Sequence, residues 1–180
     1  MAMPASREEA HVAQDIHALQ LEAARAFAMA ELIVAAAWAT LLTLSVPHDA
    51  QTSWLFPLGL GLSSVKTLWL LDQRPTLARL SLPLDLIALV GVYMALRPGP
   101  VMAFVTLPAI LVAGVVLSRG GTLAVAGLCL LLTAGASWWQ EGGHLGEVAT
   151  LGLVLHVVAL GVTLLSTHNL YTAIAWATQS

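Results

Sequence analysis

The chain has 180 residues, of which 58% are hydrophobic and only 9% charged, and its formal net charge is −3. Soluble domains carry about 25% charged residues, and a chain this short cannot enclose so much apolar surface in a water-soluble core. So small a net charge, without a basic cluster, gives no sign of a nucleic-acid partner, and none is expected.

Several apolar runs of roughly 18 to 20 residues match a hydrocarbon core ~30 Å thick. The sequence therefore reads as an all-α polytopic membrane protein with six transmembrane helices behind an amphipathic cytoplasmic helix. Three regions are expected: the amphipathic helix over 1–26, the membrane bundle over 27–165 and a cytoplasmic helical extension over 166–180.

Ser6-Arg7-Glu8-Glu9 has the form of a capping box, and its mixed charges are not those of a secretory signal. No Pro or Gly follows until Pro47. Val12, Ile16, Leu19, Ala23 and Ala26 recur at spacings of four and three and predict one apolar seam. Gln14, Asp15, Glu22 and Arg25 lie on the polar face. This helix runs without a break into a first span over 27–46.

After "PHDAQTS", a second span is predicted over 54–71, with Pro57 tolerated in its first turn. "DQRPTLAR" reads as a polar turn, and the third span covers 80–96. "RPGP" ends it. The fourth span, 101–117, holds Pro108, where a kink is expected. "SRGG" predicts a tight hairpin with glycine in the left-handed position after a helix. The fifth span covers 122–139, "QEGGHLGE" follows, and the sixth span starts near Val148.

With the N-terminus inside, Arg7, Arg25, Arg74, Arg79 and Arg119 all fall on the cytoplasmic side, and only Arg97 falls outside. The positive-inside rule then puts both termini in the cytoplasm. Trp54, Trp138 and Trp139 sit at the outer interface and Trp69 at the inner one. Small residues four apart (Ala35 and Ala39, Gly59 and Ser63, Ala109 and Ala113, Gly114 and Ser118) permit close helix approach.

Ionisable residues inside spans are costly and mark candidate sites. Glu31, Lys66 and Asp85 fall at nearly the same depth, roughly 6 to 9 Å from the inner surface at ~1.5 Å per residue. Lys66 and Asp85, on neighbouring antiparallel spans, are expected to pair, with Glu31 as a possible third member. Two readings stand: an ion pair that fixes helix register, or a switch or proton path. His156 falls near the middle of the sixth span, either as a neutral imidazole bonded to a neighbouring helix or as a ligand or pH-responsive group. Neither His144 nor His168 is level with it, so no bis-histidine haem or metal site is expected.

Cys129 stands alone, which excludes an internal disulfide and a Cys-based metal site. No G-x-S-x-G, H-E-x-x-H or phosphate-cradling glycine loop is present. The outer-loop residues His48, Asp49, Glu141, His144 and Glu147 read as solvated groups or as a cation- or pH-responsive set. No cofactor and no catalytic residue are expected.

At the end of the chain, Thr163, Thr167, Leu170, Ile174 and Ala177 recur at four and three, the seam of a coiled coil. Either a signalling helix begins here, or the helix lies along the inner interface with Tyr171 and Trp176 as anchors.

"LPAILVAGVVLSRGGTLAVAGLCLLLTAGASWW", residues 107–139, resembles the N-terminal membrane regions of bacterial sensor histidine kinases and diguanylate cyclases. In those, a Pro-containing span, an "RGG"-like turn and a small-residue-rich span precede a last helix that enters the cytoplasmic signalling part. The resemblance extends over about 80–180 and carries no active-site residue with it. The chain holds no H-E-x-x-x-P pattern, no ATP-binding glycine boxes and no G-G-D-E-F loop.

The resemblance implies a non-enzymatic sensory input module, homodimeric, passing a conformational change through its last helix to a cytoplasmic effector domain or partner. As a fragment of a kinase or cyclase it would belong to an enzyme. The rival expectations are a structural or cofactor-holding subunit of a larger membrane complex and a small transporter.

Overall fold

The structure, a computed structural model, describes residues 5–45, 54–96, 104 and 106–178, with side chains over 14–44, 54–96, 104 and 106–173. Among the described residues the chain forms six α-helices and no strand: α1 (Ala5–Ser45), α2 (Leu55–Gln73), α3 (Pro75–Leu96), α4 (Leu107–Val116), α5 (Arg119–Gln140) and α6 (Glu147–Thr178). The capping-box side chains, Val12, His48, Asp49, Arg97, Ile174, Trp176 and Ala177 lie outside this description.

Four segments are long and apolar enough to cross a membrane: Gln14–Leu44, Pro75–Leu96, Arg119–Gln140 and Glu147–Ala173. Leucine, valine and tryptophan side chains face outward along them, among them Leu41, Leu131, Trp139 and Leu165. An apolar exterior around a small buried core is the arrangement of a membrane protein. α2 has the length of a span, with 19 residues, but Lys66, Asp72 and a Ser-Ser pair dilute its apolar character.

α1, α2 and α3 pack in succession, and α4, α5 and α6 pack on one another; α4 joins the two halves through α3 and α1. The core gathers around α4, with Ile110, Ala113 and Val116 against Ala24 and Ala28 of α1, Leu82 of α3 and Ala126 of α5. Alanine at four of these positions lets backbones approach closely, so that many weak contacts act together.

Pro57 lies in the first turn of α2, as expected, but other prolines and the glycines act at different places. Pro108 occupies the first turn of α4, where its missing N–H costs nothing, so the helix begins there and is not kinked. Among the described residues, the proline beyond the first turn of a helix is Pro83, in α3. The polar turn before α3 shrinks to Arg74, whose N–H bonds Leu70 O at 2.7 Å, because Pro75 starts the next helix with its φ already set. Gly120 and Gly121 lie within the first turn of α5, and Ser118 caps that helix by accepting from Gly121 N–H at 3.4 Å. Left-handed glycines occur instead at Gly142 (φ 68°) and Gly143 (φ 96°), where α5 turns back into α6.

The unbroken α1 buries Ala24, Ala28 and Ala35, with Ile16, Gln20, Ala23 and Phe27 partly covered. The predicted seam is rotated: Leu19 and Ala26 face outward. On α6 the buried stripe is Ala149, Gly152, His156, Thr163 and, in part, Thr167 and Tyr171, while Leu170 is exposed.

Candidate functional site

One end of the bundle is tied by side chains that reach between helices. Arg79 of α3 donates to Gln20 Oε1, and Gln20 Nε2 donates to Tyr171 Oη at 2.8 Å and to Leu117 O at 3.5 Å. One amide thereby joins α1, α3, the α4–α5 turn and α6. Arg25 pairs with Asp72 at 3.4 Å, and Arg119 donates to His168 Nδ1 at 2.6 Å. The opposite end holds an aromatic run, Trp38 to Phe56 (5.2 Å between centroids) to Tyr93 (5.7 Å). There too Glu141 and His144 sit 4.0 Å apart on the α5–α6 turn.

Glu31, Lys66 and Asp85 divide into two groups, one on each side of α2. Lys66 Nζ pairs with Asp85 Oδ2, which also accepts from Ser63 Oγ at 2.9 Å. Ser64, the next residue, turns the other way; its hydroxyl lies 3.3 Å from Glu31 Oε2 and 2.8 Å from Leu60 O. Consecutive serines about 100° apart on a helix thus serve two different neighbours. Glu31 faces α2 from α1, and its Oε1 is buried without a partner. The expected third member of the ion pair is bonded elsewhere.

Lys66 and Asp85 also do not lie inside the bundle. Their side chains are 45% and 26% exposed, in a groove between α2 and α3 of about 400 Å³.

His156 is fully buried. Its Nδ1 lies 2.6 Å from Gly152 O, which can only accept, so in the neutral ring Nδ1 carries the proton. Nε2 then accepts from Thr106 Oγ1, which in turn lies 3.2 Å from Thr133 Oγ1. The ring is satisfied on both sides and binds α6 to the start of α4 and to α5. No group of three His, Cys, Asp or Glu that could hold a metal is found among the described residues.

α6 also closes on α4 lower down. Thr167 Oγ1 donates to Gly114 O at 2.9 Å, and a Cβ at Gly114 would lie 1.7 Å from Thr163 Cγ2. Of the small-residue pairs, Ala109 and Ala113 are both buried, as is Gly114. Sequence reasoning missed Gln20, Tyr171 as its partner, and Thr106 with Thr133. Gln20 lies one position off the predicted seam, beside Leu19, and no sequence pattern points to it.

Comparison with protein-family models, with curated proteins and with solved structures finds no match for this chain.

Proposed function

We propose that the chain is a membrane sensory input module that passes a conformational change through α6 to a cytoplasmic effector. The observation that carries this reading is the course of α6. It is a single 32-residue helix, about 48 Å long at 1.5 Å per residue, against a hydrocarbon core of ~30 Å. Where it leaves the bundle, Tyr171 is held by Gln20, and Gln20 by Arg79 of α3. A displacement of α3 or α1 would therefore be felt by α6 at the point where it enters water.

In this reading the chain crosses a bacterial cytoplasmic membrane six times, counting α2 and the segment that ends in α4. Both termini are cytoplasmic, and residues 1–26 form an amphipathic helix on that side. The gathering of Arg25, Arg79 and Arg119 at one end of the bundle supports this orientation under the positive-inside rule. The module works as a homodimer and has no chemistry of its own.

The test is to fuse a histidine kinase catalytic region after Ser180 and to insert one to four residues at the junction. Output should rise and fall with the ~3.6-residue helical period. Flat output would leave residues 164–180 as an anchor and remove the sensor reading. One feature favours a small transporter instead: α4 begins partway along the bundle, beside His156, as broken helices do in transporters. Solute flux in proteoliposomes would decide for that reading.

A further inference from the structure

The Lys66–Asp85 pair faces the wrong way for a lone protomer. Charged side chains in spans face the bundle interior or a water-filled cavity, because hydrocarbon offers them nothing. Here both open onto the outer side of α2 and α3, in a groove also lined by Gly59, Leu62 and Ala88. Their hydrogen-bonding capacity is also unspent. Asp85 Oδ2 takes both Lys66 and Ser63, whereas no bond to Oδ1 is found among the described residues. Lys66 has three N–H donors and one partner. In lipid such groups have no water to turn to.

We infer that this groove is the contact surface for a second copy of the chain, whose Lys66 and Asp85 complete the polar cluster. The charges select that occupant. A patch with one cation and one anion side by side is complementary to itself under a two-fold axis along the membrane normal. Each ammonium keeps its own carboxylate and gains the neighbour's Oδ1, so four alternating charges close a ring out of contact with lipid. The small side chain of Ala88, exposed on α3, allows a neighbouring helix to come close. The weak apolar character of α2 has the same explanation, since its outer face meets protein.

The test uses the full chain in native membranes with Cys129→Ala as background. Leu62→Cys places a thiol on the groove edge, 71% exposed; Leu131→Cys places one on α5, 72% exposed and away from α2. Oxidation should link most of the Leu62→Cys chain as a homodimer and leave Leu131→Cys monomeric. Equal linkage at both sites, none at Leu62, or linkage of Leu62→Cys to a different protein would overturn the inference.

The charges are tested separately in the Leu62→Cys chain. Lys66→Asp carries acid at both positions and Asp85→Lys carries base at both. Each alone should lose the homodimer, and the two co-expressed with different tags should recover linkage as a heterodimer. Failure to recover would overturn the charge ring. Because a single charge reversal can unfold the chain, the Leu62 and Leu131 comparison, which leaves both charges intact, decides the surface independently.

Discussion

Thr163 of α6 rests on the bare backbone of α4 at Gly114, so closely that a Cβ added there would fall 1.7 Å from Thr163 Cγ2. The neighbouring Thr167 bonds Gly114 O at 2.9 Å, which fixes the separation of the two helices. Gly114→Ala should therefore force α4 and α6 apart and cost about 1–3 kcal/mol, as overpacking does. Thr163→Ala removes the methyl group in the way, together with a buried hydroxyl that has no partner. The double variant should recover most of the loss when the two are compared by thermal aggregation in detergent. No recovery would mean that the contact is not what limits the approach.

Lys66 and Asp85 should behave as a pair. Removing one leaves the other uncompensated, so the single changes Lys66→Met and Asp85→Leu should each destabilise more than a non-interacting change would. The double variant should be clearly more stable than the sum of the singles predicts. Additive losses in a thermal aggregation series would show that the contact carries no coupling energy.

Gln20 is expected to matter more than a glutamine usually does. Gln20→Leu leaves Arg79 and Tyr171 without their partner and should cost about 1–3 kcal/mol. Gln20→Glu keeps an acceptor for both groups and should retain most of that stability. Hydrogen exchange over 164–173 gives the second readout: faster exchange in the leucine variant, near-native exchange in the glutamate variant. Equal exchange in all three would show that the amide does not hold α6.

For His156, the bonds to Gly152 and Thr106 leave no free ring nitrogen. Hemin titrated into the purified chain should produce no bis-histidine Soret band. His156→Leu should destabilise by about 1–3 kcal/mol through the lost hydrogen bonds. A haem spectrum that disappears with His156→Leu would contradict the structural role.

What could be read in the sequence was mostly depth along a helix axis; what could not was direction around it. Rise per residue is fixed, so Lys66 and Asp85 were matched from their distances to one short turn. Which side of α2 they occupy depends on how three helices are arranged, and Glu31, at similar depth, bonds Ser64 on the other side. The same rotation explains the tail: a seam drawn through Leu170 differs by about 100° from one through Tyr171, and the structure uses Tyr171. Pro108 misled because a proline breaks a helix only if the helix has already begun. Thr106, Thr133 and Gln20 have no pattern of their own, and their role exists only once α1, α4, α5 and α6 are assembled.

Pro83 lies between the two polar groups of α3, four residues after Arg79 and two before Asp85. It has no N–H to give to the Arg79 carbonyl, so α3 lacks one rung of its ladder at that turn. The helix is therefore most compliant there, and its lower part, bound to Gln20, can tilt separately from its upper part, bound to Lys66. α3 is a jointed strut, and its joint separates the contact with Gln20 from the contact with Lys66.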